Sequence, residues 1–255
     1  MSQHDKKRSI LAVVAHPDDE IYITGTLKNH RDHGDSVHLV WMTNGQMTSM
    51  IEGTPEEVEE IRINDAKKAA KIIGAEPRFL NYVDTELSYQ SREATLKMVQ
   101  IIRETRPAIV ISNNTFSSHP DHRNTGYIVW DAIFLAKLPK ILPDIPPFRK
   151  ETSIYLLEAN TPRFYVDVSD QVKAIYKVIK VYENMYAYKD PHLEHFKMLR
   201  RRGVHVGYRY AERFEIRKIG PPSKRKPSHR RFYTPIFRRL ARKDPALHSK
   251  GKLLA

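Results

Sequence analysis

Short runs of continuous apolar residues alternate along this chain with longer stretches in which apolar positions recur at helical spacing. Ser9 to Ala15 (Ile10, Leu11, Ala12, Val13, Val14) reads as a strand buried on both faces, as parallel strands are. Glu20 to Asp32 predicts a helix, ended by the glycine signal His33-Gly34-Asp35. Val37 to Met42 is a second strand, and Met47 to Pro55 a loop able to close over a site. Glu56 to Ile73 predicts a long helix with an acidic first turn, stopped by Gly74. Arg78 to Asn81 is a third strand. Glu93 to Thr105 is a helix that ends before Pro107. Ile109 to Ser112 is a fourth strand, followed by a helix from about Asn124 to Ala136. Leu138 to Arg149, with Pro139, Pro143, Pro146 and Pro147, reads as an ordered loop or lid. Ser153 to Leu157 and Phe164 to Val166 read as strands. Asp170 to Tyr186 and Pro191 to Arg202 read as helices. Strands and helices alternating at this spacing imply βαβ units with right-handed crossovers. The expected fold is therefore α/β, Rossmann-like, with a mainly parallel sheet flanked by helices.

Length and composition sharpen this picture. With 255 residues, 40% of them apolar, the chain can bury a substantial core in one large domain or two small ones. It has no cysteine, so any metal must be held by nitrogen and oxygen. The apolar run near the N-terminus is too short for a signal peptide or membrane span, and the default location is cytoplasmic. The net charge of +13 is uneven. Residues 217–255 hold 13 Lys+Arg and one acid (Asp244), a net of +12. The other residues hold 30 basic and 29 acidic groups, a net of +1. The expected organisation is a catalytic domain over residues 1–216 and a basic, flexible tail over 217–255. In that tail Phe232, Ile236, Phe237 and Leu240 share one helical face, flanked by Arg230, Arg231, Arg238, Arg239 and Arg242. Such a segment reads either as a peripheral anchor on an anionic membrane surface or as a solvated tail that pairs with any polyanion.

Two polar clusters carry the chemistry. Ala15-His16-Pro17-Asp18-Asp19-Glu20 follows the first strand, and His119-Pro120-Asp121-His122 follows the fourth. In an open α/β sheet, ligands bind at the carboxyl ends of the strands, so both clusters can meet over one sheet edge. A catalytic zinc needs about three protein ligands and one open position. His16, one of Asp18 and Asp19, and one of His119 and His122 supply three, and leave groups over for acid–base work. The bland alternative for either cluster is a turn whose aspartate caps a helix. Glu20 reads best as a first-turn salt bridge. His30, His33, His38 and His192 read as surface or turn residues, and His195 and His205 carry no assigned role.

At these residues the chain resembles the PIG-L/LmbE-like family of zinc-dependent de-N-acetylases, which act on N-acetylglucosaminyl compounds. Its AHPDDE-type motif stands here as Ala15 to Glu20 and its HPDHR-type motif as His119 to Arg123. Weaker matches are Thr43-Asn44-Gly45, Arg62, Asp84 and the closing segment Tyr210-Ala211-Glu212-Arg213-Phe214, so the likeness covers roughly residues 8–216. One departure is visible: Tyr182-Glu183-Asn184-Met185 stands where the family often has a His-x-Ser-Gln-like element. The resemblance implies a Zn2+ held by His16, Asp19 and His122, with Asp18 as general base on the zinc-activated water. It implies His119, as imidazolium, on the oxyanion or leaving nitrogen, with Asp121 either orienting that ring or capping the helix. Arg62 and Asp84 fall at substrate-binding positions near the sugar. The implied substrate is a small-molecule or lipid-linked N-acetylated amino sugar, and a homo-oligomer is open. Two rival readings use the same residues: a non-haem iron enzyme with a two-histidine-one-carboxylate site, and a basic-tailed nucleic-acid-binding protein with a vestigial site.

Overall fold

The computed structural model describes residues 7–158, 162, 164–185 and 190–220. The expectations for the first six residues, for the end of the helix at Tyr186 and for the tail stripe at Phe232 to Leu240 lie outside the described residues. Seven strands form one sheet in the order β3-β2-β1-β4-β5-β7-β6. They are β1 (Ser9–Val14), β2 (Ser36–Thr43), β3 (Glu76–Tyr82), β4 (Ile109–Ser112), β5 (Thr152–Leu156), β6 (Phe164–Asp167) and β7 (Ala211–Ile219). The first five run parallel; β7 is antiparallel to β5 and to β6. This is the expected Rossmann-like sheet. The sequence reading did not place β7, and that strand runs past residue 216 to Ile219, paired with Thr152. Its alternating burial and charged positions hide it from a search for continuous apolar runs.

Helices α1 (Thr24–Asp32), α2 (Pro55–Ile73) and α5 (Val172–Val181) cover one face, and α3 (Arg92–Thr105) and α4 (Pro120–Leu135) the other. Helix α6 (Pro191–Val204) packs on β7 and α5. Strand β1 shows why its apolar run is continuous. Ile10, Ala12 and Val14 enter one core, Leu11 and Val13 the other, and all five are fully buried. Helix α2 is bounded as its sequence dictates. Thr54 accepts from Glu57 N at 3.3 Å, Glu57 returns its carboxylate to Thr54 N at 2.8 Å, Pro55 opens the first turn, and Gly74 (φ 82°) ends it.

Three helix expectations shift. The segment after β1 begins as a 3₁₀ turn, Asp19–Ile23, before α1. The left-handed backbone of Asp18 and the 3.0 Å bond from Ile21 N to Asp18 O wind the entry more tightly than an α-helix. Helix α4 starts at Pro120, not Asn124, because proline suits the first helical position and His119 caps it. The segment from Asp170 divides into a 3₁₀ turn (Ser169–Gln171), α5 and a second 3₁₀ turn (Glu183–Met185). The proline-rich stretch is an ordered loop and not a lid. It leaves the end of α4 far from the clusters, and Arg103 fastens it by bonds of 2.7–3.1 Å to the carbonyls of Ala136, Leu138, Leu142 and Ile145.

Helix α4 sits directly on the end of β4. A Cβ on Gly126 would stand 2.8 Å from Asn113 O and 3.0 Å from Thr115 N. Backbone cannot yield as a side chain can. Gly126→Ala is therefore expected to cost about 1–3 kcal/mol, the range for overpacking, read as a lowered urea midpoint. An unchanged midpoint would contradict this close approach.

Candidate active site

The two clusters meet because β1 and β4 are sheet neighbours, in register from Ile10↔Ile109 to Val13↔Ser112. Just beyond the strands, Ala15 N donates to Asn113 Oδ1 at 3.0 Å and Ala15 O accepts from Thr43 N at 2.9 Å and Thr43 Oγ1 at 3.0 Å. The end of β1 is thereby tied to both neighbours before the chain turns. Asp19 then folds back under that turn. Its Oδ2 accepts from Ala15 N at 3.1 Å and His16 N at 3.0 Å, which leaves Oδ1 facing His122 Nε2 at 3.1 Å.

His16 and His122 are each held from behind by acids. His16 Nε2 lies 3.0 Å from Asp84 Oδ1 and 3.3 Å from Asp121 Oδ2. His122 Nδ1 lies 2.7 Å from Glu158 Oε1 and 3.3 Å from Ser117 Oγ. These partners call for a proton on that nitrogen of each ring, so the other nitrogens carry the lone pairs when the rings are neutral. Those two, His16 Nδ1 and His122 Nε2, are 3.3 Å apart, and His16 Nδ1 is 3.8 Å from Asp19 Oδ2. Tetrahedral ligands about 2.0–2.1 Å from a zinc ion are separated by about 3.3 Å. The two imidazoles, and His122 with Asp19 Oδ1, thus stand close to that spacing, while His16 meets the other Asp19 oxygen at a longer distance; each ring is backed by a carboxylate as in metal centres generally. His119 is a neighbour of both rings: His16, His119 and His122 each bring a nitrogen within 4.8 Å of the others.

The charges follow this geometry. The acids around His16 raise its pKa to about 9 despite burial, and Asp19 and Glu158 raise that of His122 to about 10. Asp19 is buried, yet the histidines hold it well below the usual carboxylate range. Asp84, against the opposing effect of burial, is held at about 2 by His16 and by the bond from Met47 N. Desolvation pushes Asp18 up, against the pull of Arg62. His119 is lowered by burial and by the two other histidines.

Several expectations change here. Asp121 turns to His16 and to Thr85 N (2.7 Å) and does not orient His119. The relation is reversed: His119 is the helix cap, and its Nδ1 accepts from Asp121 N at 3.2 Å. Burial and the two neighbouring histidines lower its pKa, which disfavours the imidazolium expected. Both Asp84 oxygens are engaged, by His16 and by Met47 N at 3.0 Å, so it braces the site and fastens the loop after β2. Glu20 makes no salt bridge among the described residues. It is fully buried, accepts from Trp41 Nε1 and Asp18 N at 3.0 Å each and from the Tyr182 hydroxyl, and is pushed up to about 7 by burial. His30 is buried against Asp35 at 2.9 Å, not on the surface.

Arg62 is 3% exposed, which removes the surface ion-pair reading. It reaches Asp18 Oδ1 at 3.2 Å and Met185 Sδ at 2.9 Å. Gly45 (φ 65°) makes room for it; a Cβ there would stand 2.5 Å from the guanidinium. Asp18 (φ 108°), Thr85 (φ 72°) and Glu158 (φ 51°) hold left-handed backbone around the site, where strain of this kind is found in functional clefts. All three line a cavity of about 530 Å³, together with His16, Asp19, His119, His122, Arg62 and Asp84. Tyr22, Glu158, Arg202 and Arg213 also line it, and sequence reasoning had not singled them out. Glu158 lies just past β5, so the strand-end rule that found the two clusters also points to it. Arg213 sits inside the segment already matched to the family; Arg202 is one of three consecutive arginines, with nothing to distinguish it.

A sign follows from the two raised histidines. Without metal, the stabilisation from their ion pairs is fully present below their unfolded pKa, ~6.5, and is lost as pH rises through about 9 to 10. At neutral pH a metal ion bound by both rings would displace both protons, while Asp19 has none to lose. Calorimetric titration of the metal-free protein in buffers of different ionisation enthalpy should therefore show about two protons released per ion. Release near zero would contradict the assignment.

Known proteins resemble this chain. The family described as GlcNAc-PI de-N-acetylase (PIG-L) matches residues 11–133, the stretch that holds both clusters. A diacetylchitobiose deacetylase from Thermococcus kodakarensis is 28% identical over 221 residues, covering 80% of this chain and 81% of the relative. A probable N-acetyl-alpha-D-glucosaminyl L-malate deacetylase from Bacillus anthracis is 31% identical over 52% of this chain, which spans 62% of that relative's length. Among solved structures, the N,N'-diacetylchitobiose deacetylase of Pyrococcus horikoshii superposes with a TM-score of 0.75 at 29% identity, over 82% of this chain and 84% of that one. Residues 11–133 of this chain thus match the PIG-L family, and the likeness to diacetylchitobiose deacetylases extends over about four-fifths of its length.

Proposed function

We propose that this protein is a zinc-dependent de-N-acetylase that hydrolyses the acetamide of an N-acetylglucosaminyl compound. The observation that carries this reading is the convergence of His16 Nδ1, His122 Nε2 and Asp19 beside a second aspartate, Asp18, in one cavity. The relatives named above support the substrate class. His16, Asp19 and His122 would hold the ion. A zinc ion there supplies a water acidified from ~15.7 toward ~7 and a Lewis acid for the acetyl oxygen.

The chain's own residues do the rest. Asp18 is the general base. Desolvation raises its proton affinity and Arg62 holds one of its oxygens at 3.2 Å, so the carboxylate is aimed and its pKa moved toward the working pH. It takes the proton from water as oxygen adds to the acetyl carbon. The same proton then passes to the amine nitrogen as the carbon–nitrogen bond breaks, releasing acetate and the free amino sugar. His119, with Nδ1 occupied by Asp121 N, carries its proton on Nε2 and donates from there to the acetyl oxygen where negative charge gathers. Asp121 and Asp84 act on His16 from behind, holding the proton on Nε2 so that Nδ1 would be free for the ion. Arg62 acts through Asp18. The proposed deacetylase unit comprises residues 1–216 together with the end of β7.

Two expected outcomes test this reading. The protein should release acetate from N,N'-diacetylchitobiose or another N-acetylglucosaminide, lose that activity on chelation, and regain it with Zn2+. No acetate from any such sugar with metal present would sink the proposal. Asp18→Asn should retain the metal and lose about 10²–10⁴-fold in kcat, the span for general acid–base catalysis. Asp19→Asn should instead weaken metal binding, measured by competition with a chromophoric chelator. An Asp18→Asn enzyme turning over at the wild-type rate would remove Asp18 from its role.

A further inference from the structure

Each acid around the cavity has a basic partner, His122 serving two. Asp18 is met by Arg62, Asp19 by His122, Asp84 by His16 and Glu158 by His122. Two guanidiniums remain. Arg202 comes from α6 and Arg213 from β7, and both line the same cavity as the histidines. Neither makes a hydrogen bond or ion pair among the described residues. The nearest acid in sequence, Glu212, cannot serve as a full partner. It is completely buried, its two oxygens are taken by Gly25 N at 2.8 Å and Thr26 N at 2.9 Å, and it feels Arg202 only through space. Two like charges, half-buried at the wall of one cavity, repel each other, and burial together with Arg213 lowers the pKa of Arg202 to about 10. An arrangement that is unfavourable in the empty cavity becomes favourable once an anion lies between the two forks. Guanidinium groups suit this because their planar donors match the oxygens of a phosphate or carboxylate in pairs. Tyr22, on the 3₁₀ turn after β1, lines the cavity and lies in the field of Arg202.

We infer that Arg202 and Arg213 form an oxyanion subsite, which selects substrates bearing a phosphate or carboxylate group on the part of the molecule away from the acetamide. This rests on the proposed deacetylase reading for its substrate, but binding can be measured without turnover. The subsite makes the protein prefer an acidic glycoside over a neutral one. It also places the amine product beside an anion, so the enzyme expected to supply the substrate is one that joins an N-acetylamino sugar to a phosphorylated or carboxylated acceptor.

The test compares binding of N-acetylglucosamine, N-acetylglucosamine 1-phosphate and an N-acetylglucosaminide of a hydroxy acid to the zinc-loaded full chain by calorimetry. The acidic sugars should bind at least tenfold more tightly than the neutral one, and the stronger of the two identifies the anion. Arg202→Gln and Arg213→Gln should each reduce that preference roughly ten- to hundredfold, the range for losing one charge-assisted hydrogen bond. Affinity for neutral N-acetylglucosamine should stay the same in both. Arg213→Lys, which keeps the charge and loses the fork, should fall between, and gives a folded reference if a glutamine variant is unstable. Equal affinity for the three sugars, or binding of none, overturns the inference. So does a preference that survives both substitutions, since the anion would then sit on the metal or on the basic residues beyond β7. A protein that shows the binding preference but releases no acetate from any of the sugars would count against the deacetylase reading alone.

Discussion

The site depends on the pairing of β1 with β4. Residues 16–19 and 119–122 are about a hundred positions apart, and neither set contains the whole proposed ligand group. Parallel pairing from Ile10↔Ile109 to Val13↔Ser112 delivers both to one sheet edge, and the 3.0 Å bond from Ala15 N to Asn113 Oδ1 locks the two strand ends together. A slip of one residue in that register would reverse which face each side chain enters, and would also part His16 from His122. Continuous burial of β1 on both faces makes such a slip costly, because Leu11 and Val13 fill one core while Ile10, Ala12 and Val14 fill the other. Core packing and the position of the candidate metal ligands are therefore one problem, solved by one strand pair.

The second organising feature is the division of labour among carboxylates. Chemically alike groups have been driven apart by their surroundings. Asp19 is depressed by two histidines and two backbone donors, and is a natural anion for a cation to meet. Asp18, its neighbour in sequence, is raised by desolvation and points into the cavity. Glu20, next again, is buried beneath both, bonded to Trp41 and Tyr182, and supports the Asp18 backbone through its amide. On the proposed reading, three consecutive acids take three roles: a ligand, a base and a strut. The tight 3₁₀ turn makes this possible by sending successive side chains in different directions.

How much of this was legible in the sequence depends on the kind of signal. Parallel strands buried on both faces announce themselves as apolar runs, so β1, β2 and β4 were readable and the fold class with them. Strand β7 was not, because Arg213, Glu215, Arg217 and Lys218 interrupt its apolar positions on a sheet margin where one face is partly open. The motif residues were readable as candidates, since His16, Asp19 and His122 follow strands. Their partners were not. That Asp121 turns to His16 and that Asp84 spends both oxygens on bracing depends on loop paths fixed by tertiary contacts. Glu20 was misjudged because nothing local distinguishes a first-turn acid at a surface from one over which Trp41 and Tyr182 close.

The central claim is that a metal ion sits between His16, Asp19 and His122, with His119 beside it but not bound. The arrangement of the three rings makes the alternative concrete, because His119 lies as near to His16 as His122 does, with ring centroids 4.7 Å apart against 5.2 Å. A crystal structure of the zinc-loaded protein with anomalous data at the zinc edge decides between them. The account predicts one ion with two imidazole nitrogens and one carboxylate oxygen at about 2.0–2.2 Å, from His16, His122 and Asp19. An ion held by His16, His119 and His122, with Asp19 left outside its coordination sphere, would contradict it.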